Sequence, residues 1–210
     1  LFELVRVFNE FDFKVLPTEV IGYILENLVP QIEKQKFGQY FTSEILAYLV
    51  TFSAIKNKND VTFDPTSGTG TFLNSIYKTL QFYGNNNHQQ ILNQIWGNDI
   101  SQFPATLSVI NLYKQKVNDT SNFPRVFRSD FFSLTPGQTI EIPDNIEIFK
   151  FNKISIPKFD AIISNFPFIQ QEDIPNEILT SHFKSEFAET QKAFIDGNKF
   201  EINRKSDYYI

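Results

Sequence analysis

The sequence predicts an α/β chain: a parallel, doubly wound sheet of about four strands, preceded by an N-terminal helical segment over 1–36. Three observations carry that prediction. Short apolar runs alternate with helical periodicity between residues 61 and 165, the order that builds parallel sheets with crossover helices. Asp64, Asp99, Asp130 and Asn165 each follow an apolar run, the place where strands of such a sheet end and ligands sit. Finally, 210 residues with 41% hydrophobic and 20% charged content suit one sizeable core with a small appendage.

Within 1–36, Thr18 is an N-cap candidate, and Ile21, Ile24, Leu25 and Leu28 recur at helical spacing before Pro30 stops the helix. A second helix runs from Ser43 to about Ile55. "VTFDP" (61–65) is a β-branched and aromatic run ending in Asp-Pro, and "TSGTG" (66–70) is a loop. "TFLNSIYKTLQFY" (71–83) has helical periodicity, and "GNNNHQQ" (84–90) is a polar connection. "QIWGNDI" (94–100) reads as the second strand, "PATLSVINLYKQK" (104–116) as the second crossover helix and "PRVFRSDFF" (124–132) as the third strand. In 133–158 the alternating stretches "TIEIP" and "KISIP" can pair as a hairpin. "FDAIISN" (159–165) is the fourth strand, and a further helix is expected near 176–190. There is no internal repeat and no domain linker, so 37–210 reads as one domain.

Composition narrows the chemistry. The chain has no cysteine, which removes disulfides, thiolate zinc sites and cysteine nucleophiles. His88 and His182 stand in no metal-ligand spacing and read as surface residues. No stretch approaches the roughly 20 apolar residues of a membrane helix. A net charge of −5 argues against a broad basic nucleic-acid surface, though not against a local one. A start at Leu1 and an end at "KSDYYI" suggest a piece of a longer protein.

The loop Asp64-Pro65-Thr66-Ser67-Gly68-Thr69-Gly70 joins the first strand to its helix. Glycines there let the backbone approach a ligand, although an ordinary βα turn carries them too. No Lys follows the second glycine, so this is not a phosphate-binding P-loop, and Leu73 stands where the dinucleotide fingerprint has its third glycine. A ligand without a pyrophosphate fits better, and the acidic Asp64 suits one with positive charge. Asp99 occupies the place from which a carboxylate accepts ribose hydroxyls. It is equally placed to cap the next helix, which Ser101 and Pro104 announce.

In order, "GQYFTS" (38–43), "DPTSGTGTFL" (64–73), "GNDIS" (97–101), "RSDFFSL" (128–134) and "SNFPF" (164–168) resemble the adenine-specific DNA methyltransferases of restriction-modification systems. The resemblance is strongest to the large type I modification subunits and the fused restriction–methylation enzymes, and it covers about 18–210. It implies a Rossmann-like sheet that binds S-adenosylmethionine. Phe41 and Thr42 would touch the methionine part, and Asp64, Gly68 and Gly70 would form the cofactor loop. Asp99 would hold the ribose hydroxyls, with Ile100 against the adenine ring. Asp130 would accept from the cofactor's adenine amino group, with Phe131 beside it.

The family's catalytic tetrapeptide is Asn/Asp-Pro-Pro-Tyr/Phe. Asn165, Pro167 and Phe168 match it, and Phe166 replaces the first proline. The side-chain oxygen of Asn165 and the carbonyl of residue 166 would accept the target amine's protons, while Phe168 stacks on a flipped base. A carbonyl at 166 survives any side chain, but Phe there adds bulk, conformational freedom and an N–H that proline lacks. The position before Pro167 stays biased toward extended backbone. The resemblance further implies double-stranded DNA as partner, with a specificity subunit or C-terminal target recognition domain, a restriction subunit, and a bacterial cytoplasmic location. The family's sheet has seven strands against four here. Further strands and target recognition are expected beyond residue 210, with "SDYYI" (206–210) opening the next helix, and 1–210 alone is expected to lack sequence-specific DNA activity. Two other readings stand beside it: an amino-methyltransferase for RNA or protein, and a catalytically impaired cofactor-binding module, which Phe166 favours.

Overall fold

The structure is a computed structural model that describes residues 42–116, 119, 123–135, 137–143, 151–166, 193–195 and 198–200. The segments predicted as helical at 1–36 and near 176–190, together with His182, lie outside the described residues. Four helices are described: α1 (Glu44–Ala54), α2 (Thr71–Phe82), α3 (His88–Gln94) and α4 (Gln102–Tyr113). The strands are β1 (Thr62–Asp64), β2 (Ile95–Asp99), β3 (Arg125–Arg128), β4 (Thr139–Pro143), β5 (Phe151–Ser155), β6 (Ala161–Ile162), β7 (Ala193–Ile195) and β8 (Asn198–Phe200).

The predicted parallel sheet is present, in the order β3-β2-β1-β6. Thr62 pairs with Ile95 on one side and Ala161 on the other, and Trp96 pairs with Arg125. The chain steps outward from β1 through β2 to β3, then returns to the far side of β1 as β6. Strand order therefore reverses at β1, and the crevice between the carboxyl ends of β1 and β6 is the switch point where such sheets bind ligands.

Right-handed crossovers put α2 and α4 on one face of the sheet and send the return connection to the other. Leu73, Ile76 and Leu80 of α2 and Ala105 and Leu112 of α4 pack with Ile95, Val126 and Ile163. Side chains of opposite parity, Phe63, Trp96 and Phe127, point to the second face and meet Ile140, Ile142 and Ile156. That face is thus covered by the β4–β5 hairpin, which pairs antiparallel as predicted. Among the described residues no helix winds over it, so the doubly wound expectation holds for the topology and not for the covering layer. With both faces covered, β1 and β2 are buried at every position, as parallel strands require. Gly97 permits the close approach of α2: a Cβ there would stand 2.8 Å from Leu73 Cδ1 and 3.2 Å from Val126 Cγ2.

Three sequence expectations need correction. The polar connection at 84–90 runs into α3, capped by Asn87, whose side chain accepts from Gln90 N, and anchored by buried Ile91 and Leu92. His88 is buried rather than on the surface, and its Nδ1 lies 2.7 Å from Tyr77 Oη. The third strand ends at Arg128, and 131–133 is a 3-10 turn. Asp130 thus follows the strand instead of closing it. The hairpin of β7 and β8 was not expected at all.

Candidate functional site

Around the switch point the glycine loop is held from every side. Ser67 N donates to Asn98 O (2.8 Å) and Gly70 N to Ser67 O (2.8 Å). From α4, Ser108 Oγ donates to Gly68 O and Asn111 Nδ2 to Thr69 O, each at 2.8 Å. Two glycines are obligatory here. Gly68 has φ +53°, and a Cβ there would project into open space. Gly70 has φ +90°, and its Cβ would stand 3.0 Å from Ser108 Oγ and 3.1 Å from Ser108 Cα. The positive φ values cost L-residues about 1–3 kcal/mol. Gly70 is also the N-cap of α2 and offers no side chain to its first turn, so this helix end presents N–H groups and a partial positive charge at the crevice.

Asp64 closes β1 and is buried, at 1% exposure. Its Oδ1 accepts from Ser164 Oγ (2.6 Å) and Thr66 N (3.2 Å). Its Oδ2 is buried with no partner among the described residues. Burial pushes this carboxyl up to about 7, with the negative charge of Asp99 adding to the rise and the two donors opposing it. A carboxylate with one oxygen satisfied and the other bare is a natural receptor for a cation.

Asp99 does not cap α4, whose N-cap is Ser101 and which has no side-chain cap hydrogen bond; it turns the chain before that helix and holds the glycine loop. Its Oδ1 accepts from Ser101 N (2.8 Å) and its Oδ2 from Gly68 N (3.0 Å). Burial raises this carboxyl too, opposed by those two N–H groups. Beside it Ile100 is 59% exposed, an apolar side chain left uncovered next to a polar end. Ser129 N donates to Asp99 O (3.2 Å), which brings the loop carrying Asp130 and Phe131 alongside. The main-chain oxygen of Asp130 accepts from Ser133 Oγ (2.7 Å).

On the other side of the crevice, the segment after β6 carries Ser164, Asn165 and Phe166; the fourth strand, expected over 159–165, is confined to Ala161–Ile162, so Asn165 follows it as Asp130 follows β3. Asn165 Nδ2 donates to Thr42 Oγ1 (3.1 Å), which fixes the plane of the amide. Thr42 was expected at the cofactor; the contact it makes is with Asn165. The Phe166 ring lies 6.0 Å from that of Phe131, tilted by 58°, so the residue that replaces the usual proline packs toward the β3 loop. Phe41, Pro167 and Phe168 lie outside the described residues.

The structure therefore gathers Thr42, Asp64, Gly68, Gly70, Asp99 and Asn165 into one hydrogen-bonded constellation, with Ile100, Asp130, Phe131 and Phe166 beside it. Sequence reasoning passed over three further members, Thr66, Ser164 and Asn98. Asn98 is buried, and its Nδ2 donates to Pro65 O and Ser129 O, both at 3.0 Å. One amide thus ties the loop after β1 to the loop after β3. The available signal was a polar residue inside the apolar run "QIWGNDI".

Residues 17–196 match the family model described as N-6 DNA Methylase. The chain is 29% identical over 143 residues to the type I restriction enzyme MjaVII methylase subunit of Methanocaldococcus jannaschii, covering 61% of this chain and 23% of that protein's length. Among solved structures it is similar to a protein assigned as a type I restriction-enzyme modification subunit from Vibrio vulnificus. That match has 16% identity, a TM-score of 0.42, and covers 56% of this chain and 25% of the other. A second match is a protein assigned as a class I S-adenosylmethionine-dependent methyltransferase from Listeria monocytogenes, at 15% identity, a TM-score of 0.42, and 86% and 48% coverage.

Proposed function

The chain belongs to the N-6 DNA methylase family, and from that premise we propose that it is the cofactor-binding and catalytic part of an enzyme that methylates the exocyclic amine of adenine in DNA. The observation that carries the reading is the Asp64 carboxylate, buried with one oxygen bare at the switch point, directly hydrogen-bonded through Ser164 to the segment that bears Asn165.

The residues present fit S-adenosylmethionine. The bare Oδ2 of Asp64 suits its ammonium, and the open first turn of α2 suits its carboxylate. Open space in front of Gly68 admits the ligand against the backbone. Asp99 would accept from the ribose hydroxyls with its remaining lone pairs, Ile100 would cover one face of the adenine, and Asp130 would accept from its amino group. When bound, the cofactor supplies an electrophilic methyl group on a sulfonium.

The protein's own work is then to raise the nucleophilicity of an amine whose lone pair is delocalised into a purine. Asn165, held at its Nδ2 by Thr42, turns Oδ1 toward one amine proton, and the carbonyl of Phe166 takes the other. Two acceptors localise the lone pair on nitrogen for attack and stabilise the positive charge that develops there. No covalent enzyme intermediate is needed, in keeping with a chain that has no cysteine. Phe168 would stack on the flipped base. DNA as substrate, and a specificity subunit, recognition domain or restriction subunit as partners, follow from the family and from what the relatives are named for.

The test is calorimetric titration of S-adenosylmethionine into wild type and Asp99→Ala. Binding in wild type, weakened about tenfold or more in the variant through loss of one or two charge-assisted hydrogen bonds, is the expected outcome. Methylation of adenine in DNA by the full-length protein, abolished in Asn165→Ala, completes it. Cofactor binding with no transfer from the full-length protein would favour the impaired module, for which Phe166 is the sequence argument.

A further inference from the structure

Ser164 and Thr66 lie between the two functional halves of the crevice, and the reading above gives neither of them a part in the reaction. Ser164 Oγ is 2.6 Å from Asp64 Oδ1 and 2.6 Å from Thr66 Oγ1. Thr66 Oγ1 in turn is 3.2 Å from the main-chain oxygen of Asn165. The path crosses from one strand end to the other between residues about a hundred apart in sequence.

Each hydroxyl owns one proton, so the direction of the path depends on Asp64. When Asp64 is ionised, Ser164 donates to Oδ1, and the Thr66 proton is divided between Ser164 Oγ at 2.6 Å and Asn165 O at 3.2 Å, the shorter contact drawing it away from the carbonyl. When Asp64 is neutral, its proton finds an acceptor only on the Oδ1 side, because Oδ2 has no partner. Asp64 then donates to Ser164, Ser164 to Thr66, and Thr66 to Asn165 O. A cation placed on Oδ2 holds Asp64 ionised and selects the first arrangement.

We propose that Ser164 and Thr66 form a hydroxyl relay through which occupation of Asp64 by the cofactor's ammonium group sets the hydrogen bonding of the main chain at Asn165. Both are positioning residues: Ser164 stabilises the ionised Asp64, and Thr66 transmits its state to the catalytic loop. The proposal rests on the reading of the site as an S-adenosylmethionine pocket. The charged group that bears on Asp64 from the neighbouring strand is Asp99, which opposes ionisation. The groups facing it from the segment after β6 and from the glycine loop are one hydroxyl, of Ser164, and one N–H, of Thr66.

The test uses the full-length protein as wild type, Ser164→Ala, Ser164→Thr and Thr66→Val. S-adenosylmethionine affinity is measured by calorimetry across neutral pH, and hydrogen exchange at the Asn165–Phe166 peptide is followed with and without cofactor. In wild type, affinity should fall toward acid pH as Asp64 is protonated. Loss of one hydrogen bond to a charged group should move that acid limb up by about one pH unit in Ser164→Ala, and Ser164→Thr should restore it. Thr66→Val keeps bulk and the backbone donor to Asp64, so its limb should stay, while the cofactor-induced change in exchange at 165–166 should shrink markedly. A Ser164→Ala limb that coincides with wild type overturns the relay, as does an undiminished exchange response in Thr66→Val. Wild type that binds no cofactor overturns the pocket assignment and the relay with it, whereas wild-type binding with unmoved limbs overturns the relay alone.

Discussion

Replacing Asp64 by Asn should strengthen the fold at neutral pH while removing cofactor binding. Burial raises this carboxyl from 3.8 to about 7. That is about three units at ~1.4 kcal/mol each, so the ionised carboxylate weighs on the folded state by about 4 kcal/mol. The sign follows from the folded value being the higher one. Below about pH 4 both states are protonated and the burden is absent. Between 4 and 7 the unfolded chain ionises first, so stability falls as pH rises, and above 7 the full burden is present. The amide introduced by Asp64→Asn would keep an acceptor for Ser164 and Thr66 but place an N–H₂ group where Oδ2 is bare, at a cost of about 1–3 kcal/mol. Urea denaturation should therefore find Asp64→Asn about 1–3 kcal/mol more stable than wild type at about pH 8 and less stable by a similar amount at about pH 4. The crossing is the diagnostic, because titrating groups that do not interact with Asp64 cancel in the difference, and the one that does, Asp99, acts in the same direction. A stability difference of the same sign and size at both pH values would refute the reasoning.

The two tightest glycines should separate site from scaffold. Gly70→Ala meets Ser108 at 3.0–3.1 Å in a left-handed conformation and should cost about 1–3 kcal/mol, with S-adenosylmethionine binding lost by calorimetry. Gly97→Ala drives a Cβ to 2.8 Å from Leu73 Cδ1 and should cost a similar ~1–3 kcal/mol in denaturation, with binding retained in the fraction that folds. Phe166→Pro removes the ring that faces Phe131 and restores the family's proline; methyl transfer by the full-length protein should rise without a change in cofactor affinity. Activity unchanged by that substitution would show that the loop already holds its working shape.

What could be read from sequence was what periodicity encodes. The runs at 61–65 and 94–100 became β1 and β2, and the polar residues that end them, Asp64 and Asp99, are both in the crevice. The misses have specific causes. In "HQQILNQ" two aliphatic residues stand among polar ones, and the helix forms because Asn87 caps it and His88 finds Tyr77 in the interior. Asp130 lies in the apolar run "PRVFRSDFF", yet pairing with β2 stops at Arg128, and chain composition does not mark where a ladder ends. Ser164 and Thr66 carry no periodic signal. Their contact depends on β6 pairing beside β1, with Phe63 opposite Ile162, and parallel register between strands a hundred residues apart is a property of the folded sheet.

The two ends of the same strands show why the crevice reads as functional and not merely polar. Asp60 precedes β1 at its amino end, is buried, and accepts from Lys56 N (2.6 Å), Asn57 N (3.2 Å) and Asn57 Nδ2 (2.6 Å), so that both oxygens are satisfied. Beside it Gln94 donates to the carbonyls of Lys58 (2.9 Å) and Asp60 (3.1 Å) and accepts from Asn85 Nδ2 (2.7 Å). Buried polar groups that only support a fold are paired in this way. Four residues on, Asp64 leaves Oδ2 bare, and Asn98 on the adjacent strand leaves Oδ1 bare; among the described residues the other unpaired buried side-chain atom is Trp96 Nε1, inside the apolar core under the hairpin. Unpaired buried acceptors cost stability and persist where something outside the fold completes them. Asp60→Ala should therefore destabilise by about 1–3 kcal/mol by leaving the Lys56 and Asn57 donors unmatched, with S-adenosylmethionine affinity of the folded fraction unchanged. If Asp60→Ala instead abolished binding while leaving the denaturation midpoint in place, the division of this sheet into a paired amino end and an open carboxyl end would be wrong.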